Sequence, residues 1–176
     1  ILAMLEKPTQ GKIFFLGKNL KSYSELEQNK FRQSKVSIIF QNNNLLSDFT
    51  SLENIMLPLL IRGEKSSSSI LEAKKILKVV NLSERATHFP SQLSGGEQQR
   101  VAIARSLITK SDLILADEPT GNLDHNTSLE IFSYFQKLKK LNKTILFATH
   151  NRELANRADY KLSILNGGIK RINVTK

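Results

Sequence analysis

The segment Leu113-Ile114-Leu115-Ala116 restricts the fold more than any other part of the chain. A continuous apolar run of this length is too short for a buried helix and suits a strand covered on both faces. Pro119 stops it just after Asp117-Glu118. Thr144 to Ala148 is a second such run, closed by Thr149-His150, and Val36 to Phe40 is a third, closed by Gln41 and broken by Asn42-Asn43-Asn44. Helical spacing fills the gaps. Ser94 suits the N-cap of a helix running to about Ile108, and a helix from about His125 to Leu141 turns Leu129, Phe132, Phe135 and Leu138 inward. Alternating helix and strand predicts an α/β layered fold with parallel central strands. Such sheets bind ligands at the C-terminal ends of their strands, where Gln41, Asp117, Glu118 and His150 fall.

The remaining segments are read more simply. Ile1 to Glu6 reads as the tail of a helix, Lys12 to Leu16 as a strand, Gly17-Lys18-Asn19 as a turn and Ser22 to Phe31 as a short polar helix. Thr50-Ser51-Leu52-Glu53 is a capping-box sequence, so a helix should run from Ser51 to about Leu60, kinked or broken at Pro58. Arg62 to Ser69 reads as a flexible connector. Ile70 to Val80 reads as a helix with Ile70, Ala73, Leu77 and Val80 on one face. Residues 45–92 are therefore expected to form an α-helical subdomain inserted between core parts 1–44 and 93–176. Asn151 to Arg157 should be a short helix. Tyr160 to Leu165 and Ile169 to Val174 should pair as a C-terminal hairpin across Asn166-Gly167-Gly168.

Composition narrows the function class. The 176 residues are 40% hydrophobic and 24% charged, the balance of a globular domain. The longest apolar run, Ile55 to Ile61, contains Pro58 and falls well short of the roughly 18 residues of a membrane span, so no transmembrane helix is expected, and Ile1 to Pro8 has no signal-peptide pattern. The chain has no cysteine, which excludes disulfides and thiolate metal sites. A net charge of +10 would suit nucleic acid, nucleotide or an anionic membrane. The lysines are spread along the chain, however, as on an ordinary solvated surface, and no specific nucleic-acid partner is expected.

Two strings carry the chemistry. In Leu93-Ser94-Gly95-Gly96-Glu97-Gln98-Gln99-Arg100, a helix start exposes unpaired backbone N–H groups at the positive end of the helix dipole. The absent β-carbons let an anion approach, and phosphate is the natural ligand. Asp117 and Glu118 follow a buried strand and should point to opposite sides. One suits a phosphate-bound Mg²⁺ and the other an attacking water. Gln41 could position that water or complete the metal shell, and His150 could contact a terminal phosphate. His88 and His125 have no such setting and read as structural.

Together these residues resemble the nucleotide-binding subunit of ABC transporters. Leu93 to Glu97 is similar to the signature motif, Leu113 to Asp117 to the Walker B strand, and Glu118 to the catalytic carboxylate. Gly121-Asn122-Leu123-Asp124 resembles the D-loop, Gln41 the Q-loop glutamine and His150 the switch histidine. The segment Leu45 to Leu60 is similar to the lipoprotein-releasing branch, which shares much of this string with macrolide-export and cell-division ATPases. The resemblance implies a P-loop NTPase-like core, with ATP and Mg²⁺ as ligands. Glu118, His150 and Gln41 would be catalytic, and Asp117 and Gln41 would face Mg²⁺. Ser94, Gly95, Gly96, Glu97 and Asp124 would meet nucleotide across a head-to-tail homodimer. It also implies transmembrane permease partners and a place on the cytoplasmic face of the inner membrane. A soluble ABC ATPase acting on DNA or ribosomes is the alternative, but such proteins carry coiled coils or tandem domains.

Two departures stand out. Glu97 occupies a position where many relatives have Gln, and no G-x-x-x-x-G-K-[ST] occurs in the chain. The expectation is a sequence that starts after the phosphate-binding loop and the first strands, roughly 40 residues into the family's layout. These 176 residues alone should then bind ATP weakly and not turn it over. An ATPase assay on the isolated chain checks this, and robust turnover abolished by Glu118→Gln would contradict it.

Overall fold

The computed structural model describes residues 1–121, 123–139 and 143–172. Asn122 of the D-loop-like string, and the ends of the helix and strand expected to reach Leu141 and Val174, lie outside the described residues. At the N-terminal side Ile1 to Glu6 forms one turn rather than a helix tail. Met4 N–H donates to the Ile1 carbonyl at 2.9 Å, and Met4 itself sits at φ 57, which stops propagation. Strands β1 (Phe14–Phe15) and β2 (Lys18–Asn19) pair antiparallel around Leu16-Gly17, so Lys18-Asn19 is ladder rather than turn. Helix α1 (Glu25–Ser34) starts later than expected, at a capping box between Ser24 and Glu27. Strand β3 (Val36–Ile39) follows.

Helix α2 (Ser51–Ile61) opens with the expected Thr50–Glu53 box and continues through Pro58 without a break. Proline removes one backbone donor, while Ile55, Met56 and Leu59 around it are buried and hold the helix in place. Helix α3 (Ser66–Val79) takes in the serines read as a connector. The Ser68 and Ser69 hydroxyls donate to the Lys65 carbonyl at 2.8 and 3.0 Å, and Ser69 is buried, so these side chains stabilise the first turn. Ala73, Leu77 and Val80 are buried on the expected face. Then come α4 (Gly95–Ile108), β4 (Leu113–Asp117), α5 (His125–Lys139), β5 (Thr144–Ala148) and α6 (Arg152–Asn156). The hairpin β6 (Lys161–Leu165) and β7 (Gly168–Ile172) turns through Asn166 and Gly167, both left-handed at φ 49 and 74.

Strands β3, β4 and β5 form a parallel sheet in that spatial order, with Ile39 opposite Ala116 and Asp117 opposite Ala148. Their C-terminal ends are therefore level. The central strand β4 is covered on both faces. Ile114 and Ala116 pack with Ile103, Ile131, Phe132 and Phe135, while Leu113 and Leu115 meet the cluster of Leu20, Phe31 and Val36. A third cluster joins α2 and α3 to α4 through Ile55, Leu59, Leu77, Val101 and Ile108. Helix α4 thus contributes to two cores at once.

Both ends of α4 are fastened. At its C-terminal end the Ser37 hydroxyl donates to the Ser106 carbonyl at 3.0 Å, and the Arg62 guanidinium donates twice to the Thr109 carbonyl at 3.1 Å. At its start, Ser94 Oγ accepts from Glu97 N–H at 3.3 Å and Glu97 Oε2 accepts from Ser94 N–H at 2.8 Å. Arg85 Nε donates to the other Glu97 oxygen at 2.9 Å. The Ser94 backbone bond and then the Arg85 side chain hold the Glu97 carboxyl below its ordinary range. A β-carbon on Gly96 would lie 2.9 Å from Thr127 Cγ2, and Thr127 cannot swing freely because its N–H and hydroxyl both donate to Asp124.

Two outcomes follow from this construction. Gly96→Ala should cost about 1 to 3 kcal/mol from overpacking, offset in part by a helix-propensity gain of roughly 0.5–1 kcal/mol. Adding Thr127→Ser removes the clashing methyl and keeps a hydroxyl for Asp124, so the double variant should recover most of the loss in urea denaturation. Glu97 has a folded pKa below its unfolded value, so its contribution is complete above that unfolded value and is lost as pH falls through the folded one. Glu97→Gln should therefore be less stable than the parent at neutral pH, and the gap should narrow on acidification when melting is followed against pH.

Candidate functional site

The level C-terminal ends of β3, β4 and β5 bring Gln41, Asp117, Glu118 and His150 to one edge of the sheet. The parallel register does this, because each group sits zero to two residues past the end of its strand. Asp117 is the last residue of β4 and is exposed. Its parity puts it on the strand face shared by Leu113 and Leu115.

Glu118 is separated from Asp117 by a backbone kink rather than by strand alternation. It sits at φ 42, a region non-glycine residues seldom adopt. Four hydrogen bonds hold it there. Its N–H donates to the Ala148 carbonyl at 3.0 Å and its carbonyl accepts from Gly121 N–H at 3.0 Å. Its carboxylate accepts from the His150 N–H at 2.7 Å and from the Thr149 hydroxyl at 3.2 Å. The carboxylate thus bridges the ends of β4 and β5. His150 Nε2 lies 3.6 Å from Glu118 Oε1 on a fully exposed ring.

A cleft of about 280 Å³ opens in front of Glu118, lined in part by Gln41, Asn43, Gly95, Gln99 and Gly121. Gly121 keeps it narrow. A β-carbon there would lie 3.4 Å from Glu118 Cβ and 3.5 Å from Gln41 Nε2. Of the anion-binding string, Gly95 lines this cleft, while the Ser94 hydroxyl and the Glu97 carboxylate are taken up by the N-cap of α4. Asp124 caps α5, accepting from Thr127 N–H at 3.0 Å and from its hydroxyl at 2.6 Å, and these bonds push its pKa down. The two halves of the sequence signal therefore meet around one cleft at Gly95 and Glu118.

Asp117 offers hard oxygen ligands, which suit Mg²⁺. Among the described residues no group of three or more His, Cys, Asp or Glu side chains could hold a metal by itself. A Mg²⁺ ion arriving with phosphate oxygens would need one carboxylate from the protein, and Asp117 is exposed at the end of β4 to supply it.

Sequence reasoning missed the roles of Arg105 and Thr149, while Gln99, inside the Leu93–Arg100 string, had no role of its own assigned. Arg105 donates to the carbonyls of Asn43 and Asn44 at 2.7 Å each, with no carboxylate in ion-pair range among the described residues. Burial pushes its pKa down. A lone Arg inside Val101 to Ile108, otherwise apolar or small, was the available signal. Thr149 and Gln99 carried none.

The family model described as ABC transporter matches residues 1–121. The lipoprotein-releasing system ATP-binding protein LolD of Nitrobacter hamburgensis is 43% identical over 170 residues, covering 96% of this chain and 73% of that protein. The protein of the same name from Rickettsia prowazekii is 46% identical over 168 residues, covering 95% and 74%. Among solved structures, a dimeric ATP-binding cassette in a post-hydrolysis state bound to ADP and Pi superposes with a TM-score of 0.88 at 33% identity. It covers 99% of this chain and 78% of that one. Matched across the helices of α2 and α3, the parallel sheet and the residues around Glu118, the chain belongs to the ABC transporter family, among its ATP-binding ATPase subunits.

Proposed function

We propose that these residues belong to the ATP-hydrolysing motor subunit of a transporter that releases lipoproteins from the inner membrane, working from its cytoplasmic face. The observation that carries the hydrolytic part is the Glu118 carboxylate, oriented by Thr149 and His150 at the edge of the cleft. In this reading Glu118 orients and deprotonates the attacking water. His150 donates to the terminal phosphate, and Gln41 positions the water and the metal shell. Asp117 would hold Mg²⁺, which when bound would supply charge neutralisation to the phosphate oxygens.

The Gly95 and Gly96 N–H groups at the start of α4, beside Ser94, suit the phosphates of a nucleotide held by a second copy of the chain. Asp124 lies on the same flank, through its contact with Thr127 beside Gly96. Glu97 would act there by shaping the turn, since its carboxylate is already bound to Ser94 and Arg85. The two relatives named for lipoprotein release support that cargo, because their likeness runs through the α2 region as well as the sheet. Leu60 and Ile61 are 37% and 61% exposed at the end of α2, an apolar surface suited to permease subunits. Among the described residues no helix is long and apolar enough to cross a membrane.

In the native transporter assembly, Glu118→Gln should lower ATP turnover by about 10²–10⁴-fold, leave ATP affinity within about twofold, and stop release of a lipid-modified protein from membrane vesicles. Undiminished turnover would overturn the catalytic assignment, and ATP-driven turnover without lipoprotein release would overturn the cargo.

A further inference from the structure

The loop after Gln41 is held in an unusual way. Asn43 and Asn44 are consecutive left-handed residues at φ 57 and 47, a costly pairing that asparagine tolerates better than most. Inside the loop there is little to stabilise it. Asn43 N–H donates to the Phe40 carbonyl at 3.1 Å and Asn44 N–H to the Asn42 carbonyl, while the buried Asn43 Oδ1 makes no hydrogen bond. The grip comes from outside, from Arg105 on α4, whose Nη1 and Nη2 donate to the Asn44 and Asn43 carbonyls at 2.7 Å each. A planar guanidinium matches two adjacent carbonyls with two fixed donors.

The same helix starts at the Ser94-Gly95-Gly96 turn. Its first residue lines the cleft together with Gln41, and its third turn holds the loop that carries Gln41. Helix α4 is packed on two sides, and close-packed interiors transmit strain, so its start and its third turn are mechanically linked. We infer that Arg105 is a positioning residue that couples the Ser94–Gly96 turn to Gln41. Engagement of that turn by an anion shifts α4, and the guanidinium carries the shift into the Asn42–Asn44 loop and so to the Gln41 amide. The inference rests on the nucleotide reading above only for the identity of the anion. The coupling itself is a property of the fold.

Arg62 provides the control. It also grips the C-terminal end of α4, through the Thr109 carbonyl one turn after Arg105, and it donates to the Gln33 carbonyl as well, but it makes no hydrogen bond to residues 41–45. Hydrogen exchange of the 176-residue chain, read by mass spectrometry, tests the grip. Arg105→Ala should raise exchange at residues 41–45 by about tenfold or more, Arg105→Lys should restore part of the protection, and Arg62→Ala should lower Tm without a selective change at 41–45. Equal loosening of 41–45 in the Arg62 and Arg105 variants, or none in either, would overturn the inference. In the native assembly, Arg105→Ala should reduce kcat for ATP by about tenfold with KM little changed, the pattern of a displaced group needed only in the transition state. A rise in KM with kcat unchanged would overturn the positioning role. A loss of turnover in the parent would instead count against the hydrolytic reading and leave the exchange result to decide the coupling.

Discussion

Val101, Ile103 and Ala104 are each fully buried, yet they face different neighbours from one helix. Val101 and Ala104 pack with α2 and α3, and Ile103 packs with β4 and α5. This two-sided burial of α4 is the constraint on which the other features rest. Val101 and Ile103 each contribute roughly 1.5–3 kcal/mol on burial, and these residues join the helical layer to the parallel sheet. Because both faces are occupied, the start of α4 can only lie beside the C-terminal edge of the sheet. Gly95 therefore shares a cleft with Glu118.

Polar groups then refine what packing sets. The Ser94–Glu97 capping box and Arg85 secure the start of α4, and Arg62 and Ser37 secure its end. Between them the half-buried Arg105 guanidinium donates to the carbonyls of Asn43 and Asn44 and ties the loop to the helix. Glu118 follows the same logic: an unfavourable backbone angle persists because hydrogen bonds from β5 and from Gly121 over-determine it.

The parallel core was legible because its signal is local. Short continuous apolar runs ended by polar residues give strands, their length and spacing give the crossovers, and the level strand ends give the edge where Gln41, Asp117, Glu118 and His150 gather. The errors arose where tertiary contacts override local cues. Pro58 reads as a break, but the buried Ile55 and Leu59 keep α2 intact. Ser66–Ser69 reads as a linker, but Ser69 is buried and Ile70 beside it packs against the cluster joining α2 and α4, which makes it a helix start. The kink at Glu118 and the grip of Arg105 on Asn43 depend on residues 30 or more positions away, beyond the reach of any local pattern.

The central claim is that the edge formed by Gln41, Asp117, Glu118 and His150 handles a metal–nucleotide complex. Weak binding is no obstacle to paramagnetic broadening, and Mn²⁺ accepts the same oxygen ligands as Mg²⁺. Titrating isotope-labelled chain with Mn²⁺–ATP should broaden the amide resonances of Gln41, Asp117, Glu118 and His150 first, with Asp117→Asn weakening the effect. Broadening confined to the lysine-bearing surface of α3, or unchanged by Asp117→Asn, would contradict the account.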